Sequence, residues 1–115
     1  MNLKIKALIF EHPESQTFGK FCGYCPANGY FCSGIDVTDI SSRIENVIIF
    51  ELQQREQCPY HLIKFGWKIS VNSIIPPIFA DEELIQRTEN SYALKIDNPI
   101  IVELNVEVPK PKALF

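Results

Sequence analysis

Two pairs with the same spacing hold the residues best suited to chemistry, Cys22-Gly-Tyr-Cys25 and Cys58-Pro-Tyr-His61. Together they make a Cys3His set, which can close a tetrahedral zinc site. Cys32 adds another thiol near the first pair. Two features weigh against a metal. The 32 residues between Cys25 and Cys58 exceed the gap usual for a zinc ribbon or finger. A zinc knuckle also needs residues 22–25 to turn tightly, whereas FCGYC reads as a strand, where positions i and i+3 face opposite ways. Cys25 precedes Pro26, a position biased to extended backbone. The favoured reading packs the cysteines as small apolar thiols and assigns no cofactor. Zinc on Cys22, Cys25, Cys58 and His61 is the alternative.

Other reactive patterns are absent from the sequence. It has no glycine-rich phosphate loop, no G-x-S-x-G and no H-E-x-x-H. Neither His12 nor His61 stands in a nucleophile motif, so no catalytic residue is assigned and the chain is not expected to be an enzyme. Glu11 and Asp36 read better as a solvated strand end and a helix cap than as a nuclease pair. Phe21, Tyr24, Tyr30 and Phe31 cluster around one turn. With only Lys20 basic among them, core packing or a protein contact suits them better than stacking on bases.

The elements that must carry these residues follow from periodicity. Leu3, Ile5, Ala7 and Ile9 alternate with Lys4 and Lys6, and the second face turns apolar at Leu8 and Phe10, as in a strand entering the middle of a sheet. Residues 12–19 form a polar connection. Lys20 to Cys25 and Tyr30 to Ile35 read as strands joined by the turn Pro26-Ala-Asn-Gly29, where Pro presets φ and Asn-Gly accepts positive φ. Ile40, Ile44, Val47, Ile48 and Leu52 then fall at helical spacing, with Asp36, Thr38 and Asp39 as available N-caps. That helix is expected to run to about Glu56. A short helix over Cys58 to Phe65 with Gly66 at its end, loose alternation over Trp67 to Ile75, and a helix over Asp81 to Arg87 make up a mixed insertion at about 57–98. Ile100 to Val108 is the clearest strand. A right-handed crossover would set it beside the first strand and parallel to it.

The 115 residues fit one α+β domain: an antiparallel three-stranded meander, a helix packed on the sheet, and a final edge strand. Apolar residues at 46% and charged residues at 22% give an ordinary globular balance. No run is long enough to span a membrane, and MNLKIKALIFEH is a poor secretory signal, so a cytoplasmic protein with reduced thiols is expected. Eleven basic against fourteen acidic residues leave a net charge of −3, which argues against a dedicated nucleic-acid binder and suits a basic partner.

The order KIKALIFEH, KFCGYCPANGYFCSG and a helix carrying RIENVI resembles the HicB-like antitoxin family. Gly23-Tyr24-Cys25-Pro26 stands where that family has a strand and its proline. Cys32 and Gly34 match the cysteine and glycine ending the next strand, and Arg43 to Val47 match the helix. The resemblance implies a partial RNase H-like fold without nuclease activity that neutralises a small basic toxin protein, with a homodimer possible. Glu11, Glu14 and Tyr24 are the residues assigned to partner binding. Only seven residues follow Val108, so the C-terminal DNA-binding module of many relatives is not expected, nor is DNA binding. A secretion-system immunity protein is the other alternative.

Overall fold

The computed structural model describes residues 1–11, 20–93 and 95–111. Its elements run β1 (Asn2–Glu11), β2 (Phe21–Cys25), β3 (Tyr30–Gly34), α1 (Val37–Gln53), α2 (Tyr60–Lys64), β4 (Lys68–Ile69), β5 (Ile74–Ile75), α3 (Asp81–Tyr92) and β6 (Ile100–Glu107). The main sheet has the order β3-β2-β1-β6, and β4 with β5 forms a small separate hairpin. The architecture is α+β, with the meander and its helix in the expected order. The polar connection at 12–19, with His12 and Glu14, lies outside the described residues.

Alternation along β1 sends Leu3, Ile5, Ala7 and Ile9 to one face and Lys4, Lys6, Leu8 and Phe10 to the other. The register carries this across the sheet: Ile9 lies opposite Gly23 and Leu8 opposite Tyr24, while Gly23 lies opposite Cys32. Gly23 is buried where α1 crosses β2, and a Cβ there would run into the Ile40 side chain. Its lack of a side chain is what lets the helix sit this close. Ile40, Ile44, Ile48 and Leu52 form the fully buried stripe of α1. Burying each contributes about 1.5–3 kcal/mol.

Asp36 is the N-cap of α1, accepting a 2.7 Å hydrogen bond from the Asp39 amide, while Asp39 Oδ2 accepts from the Ile35 amide. Asp36 thereby satisfies a donor that the first helical turn leaves unpaired, and Asp39 ties down the residue before the cap. The Ile35 amide and the neighbouring Arg43 guanidinium hold the Asp39 carboxyl below its ordinary pKa.

The last strand lies beside β1 as expected, but it runs antiparallel, with Ile9 opposite Ile100 and Leu3 opposite Val106. The parallel expectation is corrected by the path of the insertion. Helix α1 brings the chain back to the end of the sheet where β1 begins, where Arg55 Nη1 donates to the Leu52 and Pro109 carbonyls. Residues beyond it then climb the opposite face before β6 starts. Helix α3 makes that return. It reaches Tyr92, past the expected end at Arg87, and buries Leu84 and Thr88. Lys6 Nζ reaches Asp81 Oδ1 at 2.8 Å, and Tyr92 packs on Tyr24 and Phe31 with ring centroids 5.3 and 4.4 Å away. The sheet is thus covered on both faces. Among the described residues, no helix is long and apolar enough to cross a membrane.

Candidate functional site

The turn between β2 and β3 begins the site. The Cys25 carbonyl accepts hydrogen bonds from the Asn28 amide at 3.3 Å and the Gly29 amide at 2.8 Å, closing a loop over Pro26-Ala27. Gly29 has φ +70°, and the Phe65 ring fills the space a Cβ would take. Trp67, buried in the insertion, donates its indole N–H to the Ala27 carbonyl at 2.7 Å. The turn is thereby held against the segment that follows α2.

Helix α1 forms the next wall. Val47, Phe50, Glu51 and Gln54 face a cleft of about 510 Å³, whose floor and rim come from Asn28, Gly29 and Tyr30. Cys58, His61 and Leu62 close its third side. Such a volume suits a drug-sized ligand or an inserted side chain.

Glu51 is the charged group of this cleft, and its side chain is only 13% exposed. Asn28 Nδ2 donates to its Oε1 at 2.9 Å, and Asn28 is itself buried and fixed by accepting the Tyr30 amide on its Oδ1. His61 Nε2 stands 2.9 Å from Oε2, yet outside hydrogen-bonding geometry, so Oε2 receives no hydrogen bond. Burial pushes the Glu51 carboxyl above its ordinary pKa, against the opposing pull of the Asn28 amide and His61. The His61 ring is 42% exposed and stacks edge-on against Phe65 at 5.3 Å.

The proposed zinc set does not converge. Cys22 and Cys25 both lie within β2 and, three positions apart, project from opposite faces, Cys25 toward α1. Cys58 and His61 line the cleft. Among the described residues, no three His, Cys, Asp or Glu side chains come close enough to hold a metal ion. Cys22, Cys25 and Cys32 are buried free thiols, and Cys58 is an exposed one. Burial pushes all three buried thiols up, Cys25 to about 12.

Of the residues assigned to partner binding, Glu11 sits opposite Phe21 at the far end of β2 from the cleft. Tyr24 lies half-buried under Tyr92 on the face away from α1. Glu14 lies outside the described residues. Neither Glu11 nor Tyr24 lines the cleft. Sequence reasoning missed Asn28, Phe50 and Glu51 there. A signal existed in the helical pattern: Glu51 follows Val47 by four residues and flanks Leu52, placing a carboxylate beside the apolar stripe rather than opposite it.

No protein-family model, curated protein or solved structure matches the chain.

Proposed function

We propose that this chain is a non-enzymatic, HicB-like antitoxin of the cytoplasm that binds and neutralises a small basic toxin. The observation that carries the binding reading is a run of outward-facing large apolar side chains from α1 to the start of α3. Phe50 (59% exposed), Tyr60 (77%), Ile63, Val71, Ile75 and Ile78 (88%) all face solvent. Exposed apolar groups concentrated in this stretch of the sequence supply apolar surface that another protein can cover. The net charge of −3 complements a basic partner and speeds its encounter. The toxin–antitoxin assignment adds the motif likeness of residues 3–52 to that surface.

The test is co-expression with a small basic reading frame beside the gene. Rescue of growth and a co-purifying complex are expected. Neither rescue nor a complex would sink the reading, and a neighbouring secreted effector in place of a toxin would favour the immunity-protein alternative.

A further inference from the structure

We propose that the cleft between α1, α2 and the β2–β3 turn seats a basic side chain, Arg or Lys, of the protein this chain binds, with Glu51 as its counter-charge. This rests on the protein-binding reading above and names the chemistry of the contact.

The Glu51 carboxyl is largely buried and only half hydrogen-bonded. Asn28 occupies Oε1, Oε2 receives no hydrogen bond and is faced by the His61 imidazole at 2.9 Å, and none of the residues lining the cleft is Lys or Arg. A buried carboxylate oxygen without a donor is costly. A guanidinium or ammonium brings the charged donors it lacks. The walls suit the rest of such a side chain. Val47 offers apolar surface to a methylene stem, and the aromatic side chains of Tyr30 and Phe50 line the cleft, where a guanidinium plane can stack.

The site is also organised before anything enters it. Glu51 is fixed on the 17-residue α1, and Asn28 sits in a turn anchored by Trp67. The half-exposed His61 ring stands beside Oε2, in the place an entering basic side chain would take. An acidic chain offering one buried carboxylate in an apolar cleft is complementary to a basic partner, not to an acidic or neutral one.

Amide chemical shifts of the full chain, titrated with the capped peptide Gly-Gly-Arg-Gly-Gly, test this directly. The expected result is saturable shifts at Asn28, Gly29, Phe50, Glu51 and His61. The peptide with citrulline in place of arginine, neutral but nearly the same shape, should bind about tenfold more weakly, since one charged hydrogen-bonded contact accounts for roughly that ratio. Glu51→Gln, which keeps the shape and an acceptor for Asn28, should lower arginine-peptide binding to the citrulline level and leave the rest of the spectrum unchanged.

Equal binding of both peptides overturns the proposal. So does undiminished binding by Glu51→Gln, or shifts centred on the acidic start of α3 at Asp81, Glu82 and Glu83. Binding of free benzamidine without the arginine peptide would mark a small-molecule pocket and also overturn it. The two readings fail separately. A toxin complex that Glu51→Gln leaves at full strength removes the cleft proposal and keeps the antitoxin. Charge-selective peptide binding with no toxin complex does the reverse.

Discussion

Trp67 donates its indole N–H to the Ala27 carbonyl oxygen at 2.7 Å across 40 residues of sequence, in a buried setting. This bond fastens the insertion to the β2–β3 turn, and the turn carries Asn28 to Glu51. Trp67→Phe removes the donor and leaves the carbonyl buried without one. The expected loss is about 1–3 kcal/mol of stability, read from denaturant unfolding. Because Asn28 is positioned through this turn, the variant should also broaden the amide signals of Asn28 and Gly29. An unchanged midpoint would show that the turn is held without the tryptophan.

Gly23 and Ile44 report on the helix–sheet contact. Gly23→Ala adds a methyl where Ile40 already sits, so α1 must lift from β2. A loss of about 1–3 kcal/mol is expected, as for other overpacked cores. Ile44 is fully buried, and Ile44→Asp would strand a charge in the core, with an expected loss of about 4 kcal/mol or more. Thermal melting checks both. A melt that hardly moved would place the core face elsewhere.

Glu51 makes stability depend on pH with a definite sign. Burial raises its folded-state pKa above the ordinary 4.5, so the folded chain binds this proton more tightly than the unfolded chain. Its favourable contribution is therefore fully present below the unfolded pKa and is lost as pH rises through the folded one. Glu51→Gln should melt higher than the parent protein at pH 7, with the advantage shrinking toward pH 4. A higher melting point for the parent at pH 7 would mean that His61 and Asn28 outweigh the burial.

The four cysteines should separate by reactivity. Cys58 is exposed, whereas Cys22, Cys25 and Cys32 are buried and hold their protons above the ordinary thiol range. Since the thiolate is the nucleophile, a thiol reagent at pH 8 should modify Cys58 rapidly in the native protein and the others only on unfolding. Cys58→Ser should abolish the fast phase. A fast phase worth two or more thiols would contradict the buried hairpin.

Metal analysis addresses the remaining zinc alternative. With Cys22 and Cys25 on opposite faces of β2, protein purified without chelators should carry well under one zinc per chain, and a chelator should leave its melting point unchanged. One tightly held zinc would require residues 22–25 to leave the strand.

Much of the fold was legible because the relevant signals are local. The alternation of Leu3 to Phe10, Pro26-Ala-Asn-Gly29 at a turn, and Ile40, Ile44, Ile48 and Leu52 at helical spacing each depend on neighbours a few residues apart. Opposite facing of Cys22 and Cys25 followed from strand geometry alone. The sequence pattern ends α3 at Arg87, because the residues after it are polar. Tyr92 extends it through ring contacts with Tyr24 and Phe31, on strands distant in sequence.

What tertiary structure alone decided was direction and convergence. Whether β6 runs with or against β1 depends on how many times the intervening chain crosses the sheet, and α3 adds a crossing that no local pattern encodes. The cleft arises in the same way. Asn28, Glu51 and His61 come from a turn, a long helix and a short one, and each has an ordinary local role there. Only their packing around one partly satisfied carboxylate makes them a site, because burial and partner geometry belong to the assembled chain. The sequence by itself determined the strands of the main sheet, helix α1 and the opposite facing of Cys22 and Cys25. Cys58, expected to pack like the others, is exposed, because only the assembled chain decides what covers a thiol.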